Sequence, residues 1–329
     1  MKSLTKKALL GSGLMRLAAG FRGPGAAILM YHSVMENPVT QENMLGGIVH
    51  SRDVFRGQMQ LLARSYRPVT LNQIKTFARG EALPHHAVVI TFDDGYADNY
   101  EIAAPILKEV GIPATFYVTV DCVAKGLVPW PARLRFAFRT TRKQNWKDSA
   151  GTAWALHDNA SSEAAYLFSC DECCKLTGLV QEKYVSQVEL DLDARVPSES
   201  SALMMNYEQV RGLARQGHII GSHTMSHPNL AHVSPPELRA EMIGSKSTLE
   251  RELESTVQHF SYPCPALPPN WSDATVEESR KAGYETAVTT DNGVTRRGDD
   301  ALRLKRLPPT KTVEGLKWNL ERAFVRSPV

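Results

Sequence analysis

The sequence predicts an α/β chain folded as one distorted, incomplete (β/α) barrel. Short apolar, β-branched runs alternate with segments of helical periodicity, the pattern of a parallel sheet or barrel. Two of those runs end abruptly in residues suited to chemistry. Ala87-Val88-Val89-Ile90-Thr91-Phe92 ends in Asp93-Asp94-Gly95, and His218-Ile219-Ile220-Gly221-Ser222 ends in His223-Thr224-Met225-Ser226-His227. Folds of this class place their reacting groups at such strand ends.

Residues 26–30 form the first strand candidate. Asp53 is the expected cap of a helix presenting Phe55, Met59 and Leu62 on one face. Residues 88–92 form the next strand. A helix follows with Ala103, Ile106, Leu107 and Val110 at helical spacing and Gly111 as its stop. Residues 114–120 read as a strand. From about 125 to 200 the rhythm is lost, and Trp130, Trp146 and Trp154 stand among basic and polar residues. This stretch is expected to be a partly helical insertion on the rim. Asn206 with Gln209 makes a capping box for a helix ending near Gly217. Ser234-Pro235-Pro236-Glu237 makes a second, opening a helix that presents Leu238, Met242, Leu249 and Leu253. Strand-like 258–262, helical 273–282, strand-like 285–289 and an outer helix at 313–324 complete the pattern. The expected organisation is an N-terminal segment 1–25, a barrel 26–310 and a C-terminal helix 311–329.

The chain has 329 residues, 43% of them hydrophobic, with a formal charge of +3. That composition suits a sizeable core. The charge is small, and no basic stripe with interleaved aromatics argues for nucleic acid. Five cysteines cannot complete a disulfide framework, and Cys170, Cys173 and Cys174 read as free thiols, which fits a reducing compartment. Near the start, Lys2, Lys6 and Lys7 precede an apolar run, residues 8–15, that Arg16 interrupts. The run is too short to span a bilayer and lacks a convincing cleavage site. It is read as a short amphipathic helix suited to peripheral membrane contact, with a cytoplasmic or membrane-peripheral location.

Adjacent carboxylates repel, so a site holding Asp93 and Asp94 together needs a cation or a shared proton. The alternative is an ordinary Asp-Asp-Gly turn. His223 and His227 are four apart, so a helical turn would set both imidazoles on one face. A lone histidine is more often structural. Two histidines with a carboxylate are an open metal set common in hydrolysis.

With both segments in hand, the chain resembles the polysaccharide deacetylases, carbohydrate esterase family 4, the NodB-homology domain. The carrying motifs are Thr91-Phe92-Asp93-Asp94-Gly95 and Ser222-His223-Thr224-Met225-Ser226-His227. Weaker matches are Ile28-Leu29-Met30-Tyr31-His32-Ser33, Phe260-Ser261-Tyr262-Pro263 and Leu304-Lys305-Arg306-Leu307. The early tyrosine–histidine pair resembles the circularly permuted branch. The likeness covers about residues 26–120 and 203–310. It implies a TIM-like (β/α)7 barrel and removal of N-acetyl groups from an N-acetylhexosamine-containing polysaccharide or its precursor, with an N-acetylated glycan as partner.

The resemblance also implies roles. Asp94, His223 and His227 hold a divalent metal, read as zinc with cobalt, nickel or iron as alternatives. Asp93 is the general base, His32 the general acid, and Arg306 orients the base. Tyr262 and Pro263 contact substrate, and the Cys264 backbone N–H donates to the oxyanion. The bland reading of His32 is a histidine capping a carbonyl at a strand end; that of Arg306 is solvated surface. Pro265 departs from the family's glycine and restricts Cys264 to extended conformations. For the insertion, structural elaboration is the simpler reading, and a wall of the glycan groove the functional one. Two other function classes stand beside the deacetylase: a non-catalytic glycan-binding barrel and an amidohydrolase of small non-sugar amides.

Overall fold

The computed structural model describes residues 10, 12–20, 24–37, 45–197 and 203–325. Seven strands build the centre: β1 (Gly25–Tyr31), β2 (Ala87–Phe92), β3 (Ala114–Val118), β4 (Ile219–Ser222), β5 (His259–Ser261), β6 (Thr286–Asn292) and β7 (Leu304–Leu307). All are parallel to their neighbours, and β1 pairs with both β2 and β7, which closes the barrel. It is distorted where β4 and β5 share one registered pair, Ser222 with Phe260, and where the β6–β7 register shifts between Val288 and Asn292. Short strands Arg67–Pro68 and Thr295–Arg296 lie beside β2 and β1.

The strands read as continuous apolar runs because both faces are covered. Ala27, Leu29, Tyr31, Val88, Ile90, Phe92 and Phe116 pack against the surrounding helices. Ala26, Ile28, Val89, Tyr117, Val288 and Leu304 form a separate cluster with Leu71, Ile74 and Phe77 of helix Leu71–Ala78. That helix closes the end of the barrel where the strands begin. Gly221 lets the Tyr117 ring lie in the interior, since a Cβ there would fall 2.4 Å from it.

Some boundaries differ from expectation. Ser51, not Asp53, caps helix Arg52–Ser65 by accepting from the Val54 N–H; Asp53 lies inside the first turn. The strand expected to reach 120 ends at Val118, because helix Val120–Lys125 begins there. Helix Leu71–Ala78 was not anticipated, although Thr70 and Gln73 form its capping box. Strand β7 was not anticipated either. The helices opened by Asn206 and Ser234 stand at Tyr207–Arg215 and Pro235–Leu253.

Among the described residues no barrel strand lies between Val118 and Ile219. That span holds helices Trp130–Thr140, Asn159–Cys173 and Gly178–Asp191 and a small hairpin. They build their own core from Leu134, Phe138, Trp146, Cys170, Cys173 and Val185. Arg133 is buried there between Glu182 and Glu189. All five cysteines are free. Of the expected N-terminal apolar run, residues 8, 9 and 11 lie outside the described residues. Within them, helix Leu14–Gly20 packs on helix Val313–Val325 through the buried Ala19 and leaves Leu14 and Leu17 exposed. No helix among the described residues is long and apolar enough to cross a membrane.

His259, at the start of β5, is buried with Nδ1 on Thr286 Oγ1 and Nε2 on Asn72 Oδ1. Burial, helped by Lys75, pushes it down to about 4. An unfolded histidine titrates near 6.5, so the unfolded chain binds the extra proton as pH falls from there, and stability falls with it. His259→Gln is expected to flatten the pH dependence of unfolding free energy over this window, by up to about 1.4 kcal/mol per pH unit. Urea melts across the window check this; an unchanged slope refutes it.

Candidate metal centre and active site

Because the barrel is parallel, the ends of its strands share one rim. Asp93 and Asp94 follow β2, His223 follows β4, Tyr262 follows β5 and His32 follows β1. His32, Asp93, Asp94, His223, His227 and Cys264 line one cavity of about 360 Å³.

Asp94 and the two histidines each direct a ligand atom inward, all three atoms within 4.8 Å of one another. Asp94 Oδ1 lies 3.4 Å from His223 Nε2 and 3.5 Å from His227 Nε2, is buried and accepts no hydrogen bond. His223 Nδ1 lies 2.8 Å from the Ser261 carbonyl oxygen, which can only accept, so Nδ1 carries a proton and Nε2 turns its lone pair inward. Acceptors thus face acceptors, an arrangement that a cation relieves. Burial pushes His223 down, but the Asp94 and Asp93 carboxylates outweigh it and hold the imidazole above its ordinary range. At His227 burial wins and pushes the ring down to about 4, which leaves it neutral. The residues fit a divalent metal with oxygen and imidazole ligands.

The histidines do not converge through a helical turn as expected. His223 leaves β4 directly, and His227 lies in an irregular loop with Thr224 and His227 at φ of 69° and 62°. Asp94 also has positive φ, 75°. Non-glycine residues in this region carry strain, which the surroundings must hold. Thr224 Oγ1 accepts from the His227 N–H. The Glu241 carboxylate accepts from the N–H groups of Met225 and Ser226 and from the Ser226 hydroxyl. Trp130 Nε1 donates to the His227 carbonyl. Nothing in the local sequence marks Glu241 for this work.

Asp93 stands apart from this set. Arg306, 1% exposed, grips it through Nη1 and Nη2, each 2.8 Å from a carboxylate oxygen. The same guanidinium donates to Thr289 O and Ser261 Oγ. Burial opposes ionisation of Asp93, and Arg306 and His223 together outweigh it, holding the carboxyl below its usual range. Arg306 is therefore not a surface residue of a cationic run; it belongs to the barrel interior. His32 is half-buried at the cavity, its carbonyl held by Asn99 Nδ2 at 2.7 Å.

Tyr262 touches the cavity, but its hydroxyl turns into the core between Ser279 and the Leu302 carbonyl, so it offers substrate no hydrogen bond. Pro263 is buried and does not line the cavity, whereas Pro265 does. Tyr262 therefore meets the cavity through its ring alone, and the expected Pro263 contact is corrected because that residue does not line the cavity. The loop bearing Pro265 has a defined holder that sequence reading missed: Asn229 Nδ2 donates to Ala266 O, Leu267 O and Pro269 O. The signal was available in the position of Asn229, two residues after His227. The Cys264 N–H has no acceptor among the described residues. Pro129, Pro131, Ala132 and Arg135 bring the insertion to the cavity wall, together with Tyr166. Trp130 and Trp146 instead serve its core.

The polysaccharide deacetylase family model matches residues 80–140 and 175–287. Over 302 residues the chain is 21% identical to YxkH of Bacillus subtilis (strain 168), provisionally named a polysaccharide deacetylase, covering 91% of this chain and 76% of that protein. A shorter stretch of 93 residues is 34% identical to the poly-β-1,6-N-acetyl-D-glucosamine N-deacetylase of Escherichia coli (strain K12), 28% of this chain and 13% of that one. Among solved structures, the Streptococcus pyogenes deacetylase PplD, in complex with acetate, has a TM-score of 0.60 at 20% identity, over 91% of this chain and 99% of that one. IcaB from Ammonifex degensii has a TM-score of 0.59 at 19% identity, over 92% and 98%. These two structures share the barrel fold. Since the family model covers more than half of the sequence and includes the paired acids and both histidines, the chain belongs to the polysaccharide deacetylase family.

Proposed function

We propose that this protein is a metal-dependent hydrolase that removes N-acetyl groups from an N-acetylhexosamine-containing glycan or its precursor. The observation that carries the reading is the cluster of Asp94 Oδ1 with the inward nitrogens of His223 and His227, beside an ionised Asp93 in the same cavity. The membership of the family, and relatives named for N-deacetylation of N-acetyl-D-glucosamine polymers, support the substrate class.

Amide hydrolysis requires a nucleophilic water, a stabilised tetrahedral oxyanion and a protonated leaving amine. Asp94, His223 and His227 would hold a divalent cation, read as zinc, which when bound supplies positive charge to activate water and polarise the acetyl carbonyl. Asp93 accepts the water's proton; its bidentate pairing with Arg306 keeps it ionised and fixes its direction. The Cys264 N–H donates to the developing oxyanion, a main-chain role in which the side chain is secondary. His32 gives its proton to the departing amine. A binding module has no use for a buried base held this way, which favours the enzyme.

Purified protein is expected to contain one divalent ion per chain, and a His223→Ala, His227→Ala double variant to lack it. Elemental analysis checks this, and unchanged metal content in the variant refutes the ligand set. Acetate release from N-acetylated oligosaccharides is expected to stop on chelation and return with added zinc. Asp93→Asn keeps the shape and the metal but cannot accept a proton. Its turnover is expected to fall on the order of a hundredfold to ten-thousandfold. Near-normal acetate release would remove Asp93 from this role. His32→Ala is expected to lose a comparable factor in kcat with metal content intact. An unchanged rate would show that another group protonates the amine.

A further inference from the structure

A second cavity, about 480 Å³, adjoins the first. Arg135 lines both. Arg139 and Lys311 join it there, and no carboxylate lines this second cavity among the described residues. We propose that it is a subsite for a phosphoryl group carried by the glycan substrate, which makes that substrate a phosphate-bearing N-acetylated sugar rather than a neutral polymer alone. The proposal rests on the deacetylase reading for its substrate and deepens it.

The three cations come from two parts of the chain and line the cavity together. Arg135 and Arg139 lie on helix Trp130–Thr140 of the insertion. Lys311 precedes helix Val313–Val325 and donates to the carbonyls of Gly47 and Val49, which leaves one of its three N–H groups for a ligand. Arg135 donates to the Tyr166 hydroxyl, with its guanidinium carbon 4.6 Å from the centre of the Tyr166 ring. Gly46 opposes it with bare backbone, since a Cβ there would lie 3.3 Å from Arg135 Nε. Among the described residues one acid, Glu163, pairs with the cluster weakly, 4.0 Å from Arg135 and 3.7 Å from Arg139. Three cations against one carboxylate among these residues make the cavity net positive.

His50 lines the cavity at 4% exposure, and burial, followed by the Lys311 ammonium, pushes it down to about 4. A single carboxylate needs one guanidinium fork. Two guanidinium groups from one helix and an ammonium from the segment before another, all lining one cavity, suit the oxygens and double charge of a phosphoryl group better. A cleft of one sign also focuses the field on an incoming anion.

The test compares acetate release by the whole protein from tri-N-acetylchitotriose, its reducing-end phosphate, the matching aldonic acid, uridine-diphosphate N-acetylglucosamine and a prenyl-diphosphate-linked N-acetylglucosamine. KM for the phosphate-bearing substrates is expected to lie about tenfold or more below that for the neutral and carboxylate ones. Whichever diphosphate has the lowest KM identifies the source of the phosphoryl group. Arg139→Gln, alone and with Lys311→Gln, is expected to erase that preference and its salt sensitivity while kcat/KM on neutral chitotriose stays within about twofold. Equal KM across the series in the wild type, or a preference that survives both variants, overturns the subsite. If no substrate releases acetate, the deacetylase reading fails instead. Titration of the wild type and the double variant with inorganic pyrophosphate then decides the subsite separately: binding lost in the variant supports it, and absence of binding in the wild type overturns it.

Discussion

Arg306 and Asp93 form the contact on which this barrel's interior is organised. A charge inside a closed sheet is costly unless it is paired and fully hydrogen-bonded. Here the guanidinium comes from β7, takes both oxygens of the acid that ends β2, and also reaches Ser261 at the end of β5 and Thr289 in β6. Four of the seven strands meet on one planar group. A lysine has neither the fork nor the number of donors to replace it. The same contact that ties the strands together also keeps Asp93 ionised and aimed at the cavity. Structural and chemical demands therefore fall on one residue.

The candidate metal ligands depend on a different kind of support. Asp94, Thr224 and His227 hold left-handed backbone angles that ordinary side chains avoid, and all three lie within one small region. Glu241 and Trp130 fix the loop from outside, Thr224 from within, and the Ser261 carbonyl sets the His223 tautomer. Ser261 thus serves both halves of the site, through its hydroxyl to Arg306 and its carbonyl to His223. Rigid backing of this kind holds ligand atoms close even where their mutual repulsion opposes it.

The insertion and the Pro265 loop supply the wall. They lie far from each other in sequence, yet they are joined by Asn229, whose side chain gathers three carbonyls of the loop and whose N–H donates to the Cys174 carbonyl of the insertion. Ala266 and Leu267 pack on the insertion's own core. A proline in place of glycine does not leave that loop without order; it is held by bonds to its carbonyl groups, which proline retains.

Local pattern was enough to determine the apolar strands β1, β2 and β3 and the helices opened by Asn206 and Ser234, and to single out Asp93, Asp94, His223 and His227, which the fold brings to one cavity. Those features depend on side-chain alternation, capping and residue type within a few positions, all of which a linear chain displays. For Arg306 the family resemblance pointed to the base, but its local pattern is a run of cations that reads as solvated surface, and tertiary structure decided between the two by setting it against a carboxylate 213 residues away inside the barrel. Tertiary structure likewise decided that the Tyr262 hydroxyl points to the core, and that His223 and His227 meet through strained loop rather than a helical turn. In each case the deciding energy comes from burial and from partners distant in sequence, and neither is expressed in the neighbours along the chain.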